Sequence, residues 1–205
     1  TETAPKHSEP DKKIQTSNLW KGRLSAASYS YLGDISSSNS TRFQYTLSLQ
    51  GNKLAGGKLY LDSYVSMRYR TDEWEQVTHD LGTALKVYSL AATYEFNKNN
   101  ILSLGRKINA NLSNMGAIDG IQFEKKLHAF SIGCAVGSRP NISDYGYNLN
   151  LLQAGIYVHH ELSYHQDHSI SHTVAVVEQQ NHGQTDRRFL YIQHSSNLFR
   201  KLSLF

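Results

Sequence analysis

The chain has 205 residues, 39% of them hydrophobic and 19% charged, with a formal net charge of +4. Soluble domains carry about a quarter charged residues; here Ser, Thr, Asn, Gln and Tyr take up the difference, which suits a sheet with one wet and one apolar face. The basic pairs Lys12-Lys13, Lys125-Lys126, Arg187-Arg188 and Arg200-Lys201 are scattered, which argues against a nucleic-acid surface. The lone Cys134 excludes an internal disulfide framework or a multi-thiolate zinc cage.

Residues 1–18 are polar, hold two of the three prolines and lack an apolar period, so they read as a disordered or extended lead-in to a single domain over 19–205. The first strand is expected over 20–32, followed by a Ser-rich loop at 35–40. Residues 42–50 alternate strictly: Phe43, Tyr45, Leu47 and Leu49 against Gln44, Thr46 and Ser48, the mark of a half-buried strand. Gly51-Asn52 and Gly56-Gly57 then turn the chain into a strand over 58–70, where Leu59, Leu61, Val65 and Met67 oppose Asp62, Ser66 and Arg68. Residues 72–85 alternate poorly and read as a long loop with one helical turn.

Further strands are expected at 89–96 and 101–107 around the turn 97–100, and at 118–125 and 127–137 as a tight pair joined near Lys126. A second long loop covers 140–147. Strands at 147–162, 169–180, 187–193 and 198–205 complete a set of ten or eleven. No stretch approaches the roughly 20 consecutive apolar residues of a membrane-crossing helix, but strands cross by another rule. Several segments reach ten or more residues, short Asn/Gly turns alternate with longer polar loops, and Tyr and Trp recur near segment ends. The fold expected is all-β, an antiparallel outer-membrane β-barrel of roughly 10–12 strands, with a soluble sandwich or barrel as the competing architecture.

Some stretches carry a resemblance. Residues 104–109 (Leu-Gly-Arg-Lys-Ile-Asn) and 116–126 (Gly-Ala-Ile-Asp-Gly-Ile-Gln-Phe-Glu-Lys-Lys), with Gly137-Ser138-Arg139-Pro140, Thr185-Asp186-Arg187-Arg188-Phe189 and Gln193-His194-Ser195, resemble a family of outer-membrane β-barrel proteins of Bacteroidota. The likeness runs over about residues 22–200. It implies architecture and an outer-membrane location. The partners expected are outer-membrane lipid and other outer-membrane proteins. The resemblance implies no activity, because the family has none established, and no site residue is carried over. Members carry a periplasmic segment before the barrel and more strands after it, so a shortened member or part of a longer polypeptide is expected.

If the phases are right, the inward faces carry Arg42, Asp62, Arg68, Arg70, Glu95, Glu124, Glu161 and Glu178, charges that either plug the interior or line a channel. About ten strands would leave a lumen near the filled end of the range. His159, His160, His165 and His168, with Glu161 and Asp167, invite a metal site, but a surface cluster of incidental affinity is the stronger reading, and no metal or cofactor is expected. His79-Asp80 and His194-Ser195 are weak hydrolytic pairs without an elbow motif. Gly105-Arg106-Lys107 lacks a phosphate-loop context, and Asp119 reads as a turn carboxylate or as the partner of a lumen arginine. A non-enzymatic structural or accessory barrel subunit leads, a porin-like diffusion channel follows, and a membrane-embedded hydrolase is third.

Overall fold

A computed structural model describes residues 19–32, 39–164, 168–198 and 202–205. Eleven strands form one antiparallel sheet in strict chain order. They are β1 (Trp20–Tyr31), β2 (Ser40–Lys53), β3 (Leu59–Arg70), β4 (Leu85–Asn97), β5 (Asn100–Ile108), β6 (Ala117–Leu127), β7 (Phe130–Ser138), β8 (Leu151–Tyr164), β9 (His168–Asn181), β10 (Gln184–Leu198) and β11 (Leu202–Leu204). Among the described residues β1 and β11 pair with one neighbour each, so the sheet has two edges and the expected closure is not present. The lead-in 1–18 and most of the loop expected at 35–40 lie outside the described residues.

Connections at one end are short, such as 98–99 and 128–129. Those at the other end include the long segments 71–84, 109–116 and 139–150. The expected loop at 72–85 contains the helical turn Trp74–His79 between two 3-10 turns. The turn expected near Lys126 falls at His128, which takes the left-handed φ of 55°. Residues 147–150 belong to the second long loop and not to β8.

Register assigns the faces. One row runs from β3 to β10 through Leu59, Tyr94, Leu102, Phe123, Cys134, Ile156, Val176 and Leu190, each the lateral partner of the next. Leu104, Ile121 and Val136 flank it on one side and Ile132, Val158, Val174 and Ile192 on the other, 45–68% exposed. The opposite face is polar in β2–β5 and carries the core in β6–β10: Leu112, Met115, Ile118, Ala135, Tyr157, Ala175 and Val177.

Leu112 and Met115 do not come from strands. They belong to Ala110–Met115, part of the β5–β6 connection, which folds back over the inner face. Ser113 Oγ reaches Tyr191 Oη on β10 at 3.4 Å. On a flat sheet β6 and β10 stand about 19 Å apart, four steps of about 4.8 Å, so the contact requires the sheet to curl around the connection. Glycines make room for this. Gly105, Gly120 and Gly137 are lateral partners in consecutive strands, and a methyl on Gly137 would stand 2.7 Å from the Gly120 Cα. Inner-facing glycines of this kind permit tight curvature. A methyl on Gly155 would stand 2.7 Å from the Met115 sulfur, so Gly155 is the seat of the inserted segment.

Arg106 and Asp119 face each other across β5 and β6 on the outer side. They form a two-point ion pair at 2.5 and 2.6 Å, with side chains 9% and 12% exposed. The 139–150 connection covers them, and the Arg106 guanidinium also donates to the carbonyls of Val87 and Tyr145. Asp119 is therefore a strand residue and not a turn former, and its arginine lies on the face away from the concave interior. Asp119→Ala leaves a buried guanidinium half-satisfied and is expected to destabilise the fold by about 3–5 kcal/mol, measured as a shift of the urea midpoint.

Candidate functional site: the polar inner face

Seven of the eight charges expected on the inner face stand there by register. Arg42 pairs laterally with Arg70, Gln44 with Arg68, and Gln50 with Asp62. Glu95 is joined to Glu124 through Ile101, and Glu161 lies opposite Ser171. Glu178 is the exception. It lies opposite Ala154 on the outer face and binds Arg188, with Nη2 2.5 Å from its carboxylate. The reason is that β9 is apolar on both faces mid-strand, with Ala175 and Val177 inward and Val174 and Val176 outward, so alternation does not reveal its phase.

The charges divide into two settings. In the middle of the sheet the Glu124 carboxylate accepts from Tyr157 Oη at 2.5 Å and from Asn111 Nδ2 at 3.3 Å. The phenol lies across Gly133, which separates β6 from β8 at this level. Glu124 thus ties the inserted segment to the sheet. Beside it is a cavity of about 400 Å³ whose polar lining includes Tyr60, Glu95, Lys107 and Glu124. Lys107 Nζ donates to Thr93 Oγ1 at 3.1 Å and Ser103 Oγ at 3.4 Å, and Tyr60 Oη to Glu95 at 3.5 Å. Asp62 accepts from Ser89 Oγ. Neither a histidine nor a cysteine lines this cavity.

The second setting is basic. Arg42, Arg68, Arg70 and Lys86 line one cavity at the long-connection end of β2–β4. Lys86 was not legible as a member from the sequence. A bulge in β4 leaves Tyr88 unmatched, because Tyr64 pairs with Ser89 and Val65 with Val87. The shift flips the phase upstream and turns Lys86 inward, opposite Ser66.

The other sequence candidates separate. His159 Nδ1 bonds Thr173 Oγ1 at 2.9 Å and its Nε2 lies 3.9 Å from Glu161, while His160 points to the outer face. His165 and Asp167 lie outside the described residues. Among the described residues no group of three His, Cys, Asp or Glu is spaced for a metal. Asp80 caps the backbone N–H of Gly82 at 2.8 Å and His79 is exposed. His194 stands against His172, with Nδ1 atoms 3.2 Å apart, and Ser195 is on the other face. Sequence reading missed the outer row His160, His172 and His194, in which lateral pairing across β8–β10 aligns residues distant in the chain.

No family model matches the chain. Nor does any curated protein match it.

Glu124→Gln retains the shape but weakens a charge-assisted hydrogen bond. It is expected to cost about 1 kcal/mol, the difference between a charged and a neutral acceptor, and to accelerate amide exchange in 110–115 more than in the strands, measured by hydrogen–deuterium exchange.

Proposed function

We propose that this chain is a non-enzymatic β-barrel component of a bacterial outer membrane, serving as a structural or accessory subunit of an assembly there. The observation that carries this reading is the outer face. An eight-residue apolar row crosses β3 to β10, with further apolar rows on either side, and most of these side chains are about half exposed. Exposed apolar areas of this extent need a cover, and a lipid phase supplies one without a shaped partner. Strands β1–β10 have 9–15 residues each, enough to cross a hydrocarbon layer at a tilt. Backbone groups at a sheet edge are not tolerated in lipid, so the reading requires β1 and β11 to meet one another or further strands.

The inserted segment favours a subunit over an open pore, since Leu112 and Met115 fill the concavity of β6–β10. A diffusion channel is the second reading. It is favoured by the cavities that remain on the β2–β5 side, one of about 580 Å³ that shares Tyr60, Thr93 and Lys107 with its 400 Å³ neighbour.

Val176→Arg tests the location. Arginine at the middle of a lipid-facing row costs about 2–4 kcal/mol, so folding into phosphatidylcholine vesicles is expected to fall by tenfold or more. Gln193→Arg, on the inner face, is expected to fold as the parent does. The readout is the heat-dependent mobility shift on a denaturing gel. If the parent chain shows no such shift and stays monomeric in buffer without vesicles, the membrane reading fails. Planar-bilayer conductance separates subunit from channel: a steady open conductance selects the channel.

A further inference from the structure

The basic cavity at the long-connection end of β2–β4 is built from like charges that the fold brings together. Arg42 and Arg70 are direct lateral partners, a placement that costs free energy in a sheet. Arg68 stands one inner position along β3 from Arg70, and Lys86 enters from β4 opposite Ser66. The four cations share a cavity of about 310 Å³, which Thr83 and Ala84 of the 71–84 connection help to enclose. Ser66, 7% exposed, also lines it.

The neighbouring residues leave the guanidinium groups of Arg42 and Arg68 unmatched. Arg70 is held by Asp72 at 2.8 Å and lies 3.3 Å from Glu73, although its buried Nε is not aligned to donate there. Lys86 Nζ donates to the Ser143 carbonyl at 2.6 Å and is offset in part by the neighbouring Asp144 carboxylate. The side chains of Arg42 and Arg68 have no hydrogen-bond or ion-pair partner among the described residues. Glu73 is the one acid among the lining residues; with Asp72 on Arg70 and Asp144 beside Lys86, four cations meet three carboxylates, a net of +1 carried by Arg42 and Arg68.

We propose that this cavity binds a small oxyanion, a phosphate or the phosphoryl group of a small solute, with Arg42 and Arg68 as its guanidinium donors and Lys86 as a point charge. A guanidinium presents parallel N–H donors that match the oxygens of a phosphoryl group, which a halide does not offer. The volume admits a phosphoryl group with a small attached moiety. A bound dianion would offset the repulsion between Arg42 and Arg70, so ligand binding and local stability are coupled. The site is independent of whether lipid covers the outer face.

The test is calorimetric titration of the refolded full chain in a neutral detergent with inorganic phosphate, at constant ionic strength against chloride. Saturable binding is expected, weakened at least tenfold in Arg42→Gln/Arg68→Gln and also weakened in Arg42→Lys/Arg68→Lys, which keeps the charge but loses the fork. Removing the repulsion should leave the Gln variant folded, with an unfolding midpoint at or above the parent's in phosphate-free buffer. Phosphate should raise the midpoint of the parent alone. Dihexanoyl phosphatidylglycerol below its micelle concentration identifies the source: displacement of phosphate assigns the site to a lipid headgroup, and failure to displace assigns it to a soluble phosphoryl compound. Absence of saturable phosphate binding, equal competition by chloride, or parental affinity in the Gln variant overturns the proposal.

Discussion

The structure depends on one continuous antiparallel sheet running from β1 to β11. Among the described residues each strand pairs only with its neighbours in the chain, so the face to which a side chain belongs is handed on laterally from strand to strand. A slip of one residue would exchange the faces for every strand beyond it. That dependence is why the few irregularities matter. The bulge that leaves Tyr88 unmatched moves Lys86 to the inner face, and with it the fourth cation of the basic cavity.

The inner face is divided in two by the curl of the sheet. On the side of β6–β10 the glycines let strands approach closely and leave a seat at Gly155, into which Leu112 and Met115 pack. Glu124, Tyr157 and Asn111 anchor the same segment by hydrogen bonds, so the insertion is held by both apolar burial and charge. On the side of β2–β5 nothing comparable among the described residues fills the concavity. Polar and charged side chains remain around cavities there, and the basic cluster lies at their rim. Filling and vacancy within one sheet are the basis for placing a subunit ahead of a channel while assigning recognition to the unfilled side.

The outer face carries its charges differently. Arg106 and Asp119 are buried beneath the 139–150 connection and joined at two points, while Glu178 and Arg188 pair in the open. The apolar rows lie between these pairs and the row of His160, His172 and His194. Arg106, Asp119, Glu178 and Arg188 on this side are paired, whereas the side chains of Arg42 and Arg68 on the inner side are not. The contrast marks the inner basic cluster as the place where the fold holds electrostatic free energy available to a ligand.

Much of this was legible in the residues themselves. Period-two alternation in β2 and β3 is strict enough to assign both the strands and their faces, and it placed Arg42, Asp62, Arg68 and Arg70 together on one side. The all-β class and the sequence of turns follow from the same local rule, because backbone pleating forces alternate side chains apart whatever lies next to them. Other features are not local. Glu178 sits in a strand whose middle is apolar on both faces, so only its pairing with Ala154 reveals its side. The folding-back of Ala110–Met115 depends on a seat supplied by Gly155 about forty positions later, and the Arg106–Asp119 pair on a cover supplied by the 139–150 connection. Sequence alone determined which residues alternate; the tertiary structure decided which surfaces they meet, because curvature and lateral register bring together residues that no periodicity links.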